Sequence, residues 1–206
     1  APWQKLEVYR SHLLPSLSHS SASGRVKDFL FKLDIRCRKF LGHIAEVPNQ
    51  AVTQFFYADR SVGGLGTFRL SEDADIWTLA RATQLLSSND PLVIGIFKEQ
   101  LCECVRRGFR EGAPDRFPIS EFLSGSNESG LYRLRYAGST KETLWSLARH
   151  AAKRLGVRID ISGDETILLI ADDVSVRPMK AVRGLRQVVR KRNTERFTDV
   201  ERHPHQ

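Results

Sequence analysis

From Arg25 to Leu41 apolar side chains return every three or four positions: Val26, Phe29, Leu30, Leu33, Cys37, Phe40 and Leu41, with Gly42 following as a stop. That period predicts an amphipathic helix and excludes a strand. Its other face holds Lys27, Lys32, Arg36, Arg38 and Lys39 against Asp28 and Asp34. Such a face either grips a phosphate backbone or is simply solvated.

Similar stripes recur through the first 110 residues. Trp3, Leu6, Tyr9 and Leu13 predict a shorter helix ending near Pro15, paired with the next as a hairpin, and Ser16 to Gly24 reads as a loop. Pro48 opens a segment through Asn49 to Ala58, and Gly63, Gly64 and Gly66 then predict a tight structural turn. This glycine run lacks the Lys-Ser/Thr of a P-loop and the strand-loop-helix setting of a dinucleotide site. Ser71 is placed to cap a helix whose first turn carries Glu72, Asp73 and Asp75, running to about Leu86. Asn89-Asp90-Pro91 starts another, through Ile94, Phe97, Leu101, Cys104 and Val105.

Beyond Gly112 the pattern changes. Gly, Pro, Ser and Asn dominate up to Gly130, as in a linker, although Ile119, Phe122 and Leu123 have the character to dock locally. Leu131 to Tyr136 alternates as a strand. Ser139 and Glu142 form a capping-box pattern before Leu144, Leu147, Ala148, Ala151 and Leu155, with Gly156 as the stop. Val157 to Ile161 and Thr166 to Ile170 read as strands joined across Ser162-Gly163-Asp164, and Met179 to about Arg192 as a closing helix. The expected organisation is residues 1–111 helical, 112–130 linker and 131–206 a small β-α-β-β-α unit. The fold class is α+β, mainly helical.

Charge narrows the function. The formal net charge is +8, and residues 177–206 hold nine basic and three acidic side chains, an excess of six. On the closing helix Val182, Leu185, Val188 and Val189 take one side, while Lys180, Arg183, Arg186 and Arg190 cluster on the other. A concentrated positive field favours polyanions, nucleic acid first and an anionic membrane surface second. The longest apolar run, Ile167 to Ala171, is too short to span a bilayer, and the first residues show no signal-like apolar segment, so an intracellular chain is expected. Cys37, Cys102 and Cys104 are odd in number and form no CxxC pair, which disfavours a disulfide framework or structural zinc.

Catalytic constellations are sparse. There is no GxSxG, HExxH or Walker sequence. Asp172 and Asp173 end an apolar strand, where a carboxylate pair serves either as Mg²⁺ ligands of a nucleotidyl-transfer site or as a plain hairpin turn. A transfer site needs another aspartate on a neighbouring strand, and only Asp160 and Asp164 are near in sequence.

One pattern runs along most of the chain: Pro2-Trp3-Gln4-Lys5-Leu6, Leu14-Pro15, Leu33-Asp34-Ile35-Arg36 and Phe55-Phe56-Tyr57-Ala58, leading into Gly63-Gly64-Leu65-Gly66. It continues in Asp73-Ala74-Asp75-Ile76, in Leu85 to Pro91, in Trp145 to Gly156 and in Val176 to Gln206. In this order the segments resemble the thumb and downstream connecting region of reverse transcriptases, the Pol polyproteins of non-LTR (LINE-type) retrotransposons that carry a restriction-like endonuclease.

The resemblance implies that residues 1–111 are thumb-like and belong to an RNA-directed DNA polymerase whose palm, with its Mg²⁺, is outside this chain. It places Asp172 and Asp173 far downstream of that family's catalytic aspartates. It also implies no cofactor in this chain, no membrane, and as partners an RNA template, a DNA primer or target and the rest of the polyprotein. The implied location is cytoplasm and nucleus, as a ribonucleoprotein. The expected contacts to nucleic acid are Lys32, Arg36, Lys39, Lys180, Arg183, Arg186 and Arg190, made to the backbone without reading sequence. The alternative is a non-catalytic nucleic-acid or protein interaction module derived from a transposable element.

Overall fold

In the computed structural model, which describes residues 1–21, 27–48, 51–108, 119–126, 143–162 and 166–202, the chain has an α+β, mainly helical fold with one small antiparallel sheet. It divides into two compact units, residues 1–74 with 186–206, and residues 75–185. This differs from the sequence-based division at residue 111. Two long helices, α5 (Leu70–Leu86) and α9 (Ala181–Arg202), each pass from one unit into the other, so composition along the chain does not mark the boundary.

The first unit opens with α1 (Pro2–Val8), a π-helical turn (Tyr9–Leu13) and α2 (Leu14–Ser21), so the predicted stop near Pro15 and the loop from Ser16 are replaced by helix as far as Ser21. Pro15 is tolerated because it sits in the first turn after the π-turn. The Leu14 amide donates to the Tyr9 carbonyl across five residues. The wider spacing turns Tyr9 and Leu14 inward and leaves Leu13 exposed where a regular 3.6-residue period predicted burial; Trp3, upstream of the turn, is exposed as well.

Helix α3 (Lys27–Ile44) packs on α1 and contributes Leu30 and Leu41 to a core with Phe56, Tyr57, Leu70 and Ala74. Gly42 does not stop it. The helix continues to Ile44, which is buried, and turns out at Glu46 with φ 53°, while the Val47 amide donates to the Gly42 carbonyl at 3.0 Å. Among the described residues, the segment opened by Pro48 is helical only over α4 (Thr53–Tyr57). The glycine turn is as tight as predicted. Gly63 and Gly66 have φ of 84° and 63°, and a Cβ at Gly64 would lie 2.4 Å from the Ala58 carbonyl oxygen.

In the second unit Asp90 accepts from the Leu92 amide and starts α6 (Pro91–Gly108). Within the predicted linker lies α7 (Ile119–Leu123), with Phe122 and Leu123 fully buried. The predicted strand from Leu131 to Tyr136 and the Ser139–Glu142 capping box lie outside the described residues. Helix α8 (Leu144–Leu155) is instead capped by Thr143, whose hydroxyl accepts from the Ser146 amide, and Gly156 ends it with φ 61°.

Strands β1 (Arg158–Ile161), β2 (Ile167–Ala171) and β3 (Val174–Val176) follow in order β1-β2-β3, all antiparallel. Ile159 pairs with Leu169, and Leu169 with Val176, so one row of buried side chains crosses the sheet. The third strand was missed because three residues carry no readable period. Arg149, itself buried, donates to the carbonyls of Phe122 and Ser126 at 2.7 and 2.8 Å and holds α7 against α8. No helix among the described residues is long and apolar enough to cross a membrane.

Candidate nucleic-acid interface

Helix α3 separates its charges by face. Its only acidic side chain between Phe29 and Ile44 is Asp34, and Asp34 points inward. One carboxylate oxygen accepts from the Leu70 amide at 2.6 Å; the other accepts from the Ser71 amide at 3.0 Å and the Ser71 hydroxyl at 2.7 Å. The start of α5 is thus capped from α3. Ser71, predicted to be the cap, lies inside the helix and donates to the real one.

With Asp34 withdrawn, the outer face of α3 is basic and aromatic. Lys32, Arg36 and Lys39 are exposed, and none forms an ion pair with a described residue. Phe29 and Phe40, predicted as core, are 58% and 51% exposed. Phe29, Lys32, Arg36, Phe40 and His43 recur every three or four residues, so they share one stripe about four helical turns long. Cations on such a stripe neutralise phosphates, and ring faces stack on bases or sugars. The aromatics were misplaced because Leu30, Leu33, Cys37 and Leu41 already fill a complete apolar stripe.

The inner face of α3 stays electrically quiet around Asp34. Burial, then the Asp34 charge, pushes the Tyr57 phenol up to about 12, and burial raises the Tyr9 phenol and the Cys37 thiol as well. All three are neutral at physiological pH.

Beside the stripe, α1, α3 and α4 enclose an open cleft of about 800 Å³. Lys5, Arg38, Lys39 and His43 line it, with Glu46 as the one carboxylate among its lining residues. Arg38 donates to the Thr53 hydroxyl at 3.1 Å, which fixes its guanidinium. Of these, only Lys39 was predicted to contact nucleic acid.

The arginines of α9 have different fates. Arg186 is committed to Asp73, with Nε to Oδ1 at 2.6 Å and Nη2 to Oδ2 at 2.9 Å, and Asp73 is 2% exposed. Arg190 lies 3.8 Å from the Asp59 carboxylate. Both guanidinium groups lie over the Phe68 ring, 5.2 and 4.7 Å from its centroid. Of the expected phosphate contacts, Arg186 is thus tied to Asp73 within its own unit, while the Arg190 side chain, beside Asp59, stays 37% exposed. Lys180, in a short 3₁₀ turn (Pro178–Lys180), and Arg183 are exposed, and both belong to the other unit. Helix α9 runs ten residues past its predicted end, and Met179, at its predicted start, is exposed.

Asp172 and Asp173 form the two-residue turn between β2 and β3, with φ of 47° and 61°. Positive φ at both positions is what a tight hairpin requires, and aspartate tolerates it. Among the described residues no group of three or more His, Cys, Asp or Glu is placed to hold a metal ion. No protein-family model matches this chain, and no curated protein or solved structure matches it significantly.

Proposed function

We propose that this chain is the thumb and connecting region of a non-LTR retrotransposon reverse transcriptase and holds the template–primer duplex through its sugar-phosphate backbone. The observation that carries the reading is the outer face of α3, where Lys32, Arg36 and Lys39 are exposed and form no ion pair with a described residue while Asp34 is turned into the core. The charge is mounted on a rigid helix, as backbone tracking needs. Bond making belongs to a palm with its own Mg²⁺ outside this chain, so the isolated chain is expected to bind duplex without polymerising.

The test is a binding titration with an RNA–DNA hybrid at two salt concentrations. Affinity is expected to fall steeply with salt, by about 0.9 in log–log slope per phosphate contacted, and to be the same for unrelated sequences. Binding that is absent or indifferent to salt overturns the reading. A protein-interaction module that uses its basic face on an acidic partner would leave duplex affinity unchanged in Lys32→Gln/Arg36→Gln.

A further inference from the structure

We infer that the cleft bounded by Lys5, Arg38, Lys39 and His43 is a pocket for a single nucleotide. Its chemistry is divided. Cations come from two helices, Lys5 from α1 and Arg38 and Lys39 from α3, and Arg38 is held in place by Thr53; the His43 imidazole also lines the cleft. Ile35 and Phe56 add apolar surface. The volume, about 800 Å³, is that of a small-molecule site. An anion with a flat apolar body fits this division better than a bare ion does.

The lining of the cleft also includes acceptors. Helix α3 ends at Ile44, and the next helical partner for the Ile44 carbonyl would be Pro48, which has no N–H. The partner for the His43 carbonyl would be the Val47 amide, which donates to Gly42 instead. Both residues line the cleft, and so does Glu46. These acceptors suit the exocyclic amino group of a base, as the cations suit its phosphate.

His43 belongs to both the cleft lining and the α3 stripe, so a strand lying along α3 has a route for one unpaired nucleotide into the cleft. This source of nucleotide rests on the function proposed above; a free nucleotide offers the same chemistry.

The full chain is titrated with cytidine 5′-monophosphate, with cytidine, with inorganic phosphate, and with an RNA–DNA hybrid that is blunt or extended by one unpaired nucleotide. Two variants address the cleft alone, Lys5→Gln and Glu46→Asn, because both positions are exposed and neither lies on the α3 stripe. The pocket is expected to bind the monophosphate at least about tenfold more tightly than cytidine or phosphate, the strength of one charge-assisted hydrogen bond. Lys5→Gln removes that margin, and Glu46→Asn, which deletes the opposing carboxylate and suits positive φ, widens it. Extended hybrid outcompeting blunt hybrid, with the same response to both variants, assigns the nucleotide to a strand; preference for the monophosphate without that difference assigns a free nucleotide. Phosphate binding as well as the monophosphate, or no response to either variant, overturns the inference. Blunt-duplex affinity unchanged in Lys32→Gln/Arg36→Gln overturns the duplex-holding reading and leaves the pocket standing.

Discussion

The carboxylate of Asp34 holds the Ser71 amide and hydroxyl at 3.0 and 2.7 Å, joining two helices 37 residues apart in sequence. That contact does two things at once. It caps α5, and it withdraws the only carboxylate between Phe29 and Ile44 from the outer face of α3. Asp34→Ala strands the buried donors of Leu70 and Ser71 and is expected to cost about 3 kcal/mol or more. Asp34→Asn keeps one acceptor and should cost roughly half as much. Urea unfolding of both variants measures the difference, and an Asp34→Asn variant as stable as the parent would show that the side chain acts only by filling space.

Arg186 and Arg36 look interchangeable in sequence but predict opposite phenotypes. Arg186→Gln leaves Asp73 buried and unpaired, so stability should fall by about 3–5 kcal/mol. Pairing it with Asp73→Asn should recover much of that loss. Lys32→Gln and Arg36→Gln should change stability by less than about 0.5 kcal/mol while lowering the salt slope of duplex binding by about 0.9 for each phosphate contact removed. Thermal melts alongside binding titrations separate the two kinds of basic residue.

Glu72 gives the stability a pH dependence. Burial, opposed by Arg69 and reinforced by Asp34, raises its carboxyl above the ordinary 4.5. The folded state therefore holds the proton more tightly than the unfolded chain does. Its stabilising contribution is complete below the ordinary value and is lost as pH climbs through the raised one. Glu72→Gln is accordingly expected to gain stability relative to the parent at pH 7 and to lose that advantage near pH 4. Denaturation midpoints at the two pH values test the sign.

At the β2–β3 turn, Asp172→Asn/Asp173→Gly should stabilise the chain by about 1 kcal/mol, because both residues sit at positive φ that glycine and asparagine adopt more readily. A metal-site role predicts the reverse: Mg²⁺ would raise the melting temperature of the parent and not of the variant.

Much of the fold is legible in local sequence. Pro91 with Asp90 starts α6, Gly156 ends α8, and the glycines at 63, 64 and 66 impose their turn, because each acts through neighbours within a few residues. Local rules failed where a nonlocal partner intervened. Gly42 was outweighed by the burial of Ile44, and Leu13 was displaced by the π-turn that sends Leu14 inward. Phe29 and Phe40 fit the apolar period of α3 but found no opposing surface among the described residues.

Helical period and positive charge were settled by the order of residues, since both depend on spacing along one segment. Which charges remain available was decided in three dimensions. Asp34 reaches Ser71 and Asp73 reaches Arg186, 113 positions away, and a buried charge must find its counterpart wherever the fold places one. Pairing neutralises α9 around Phe68 and leaves α3 basic, and no periodicity within either helix encodes that difference.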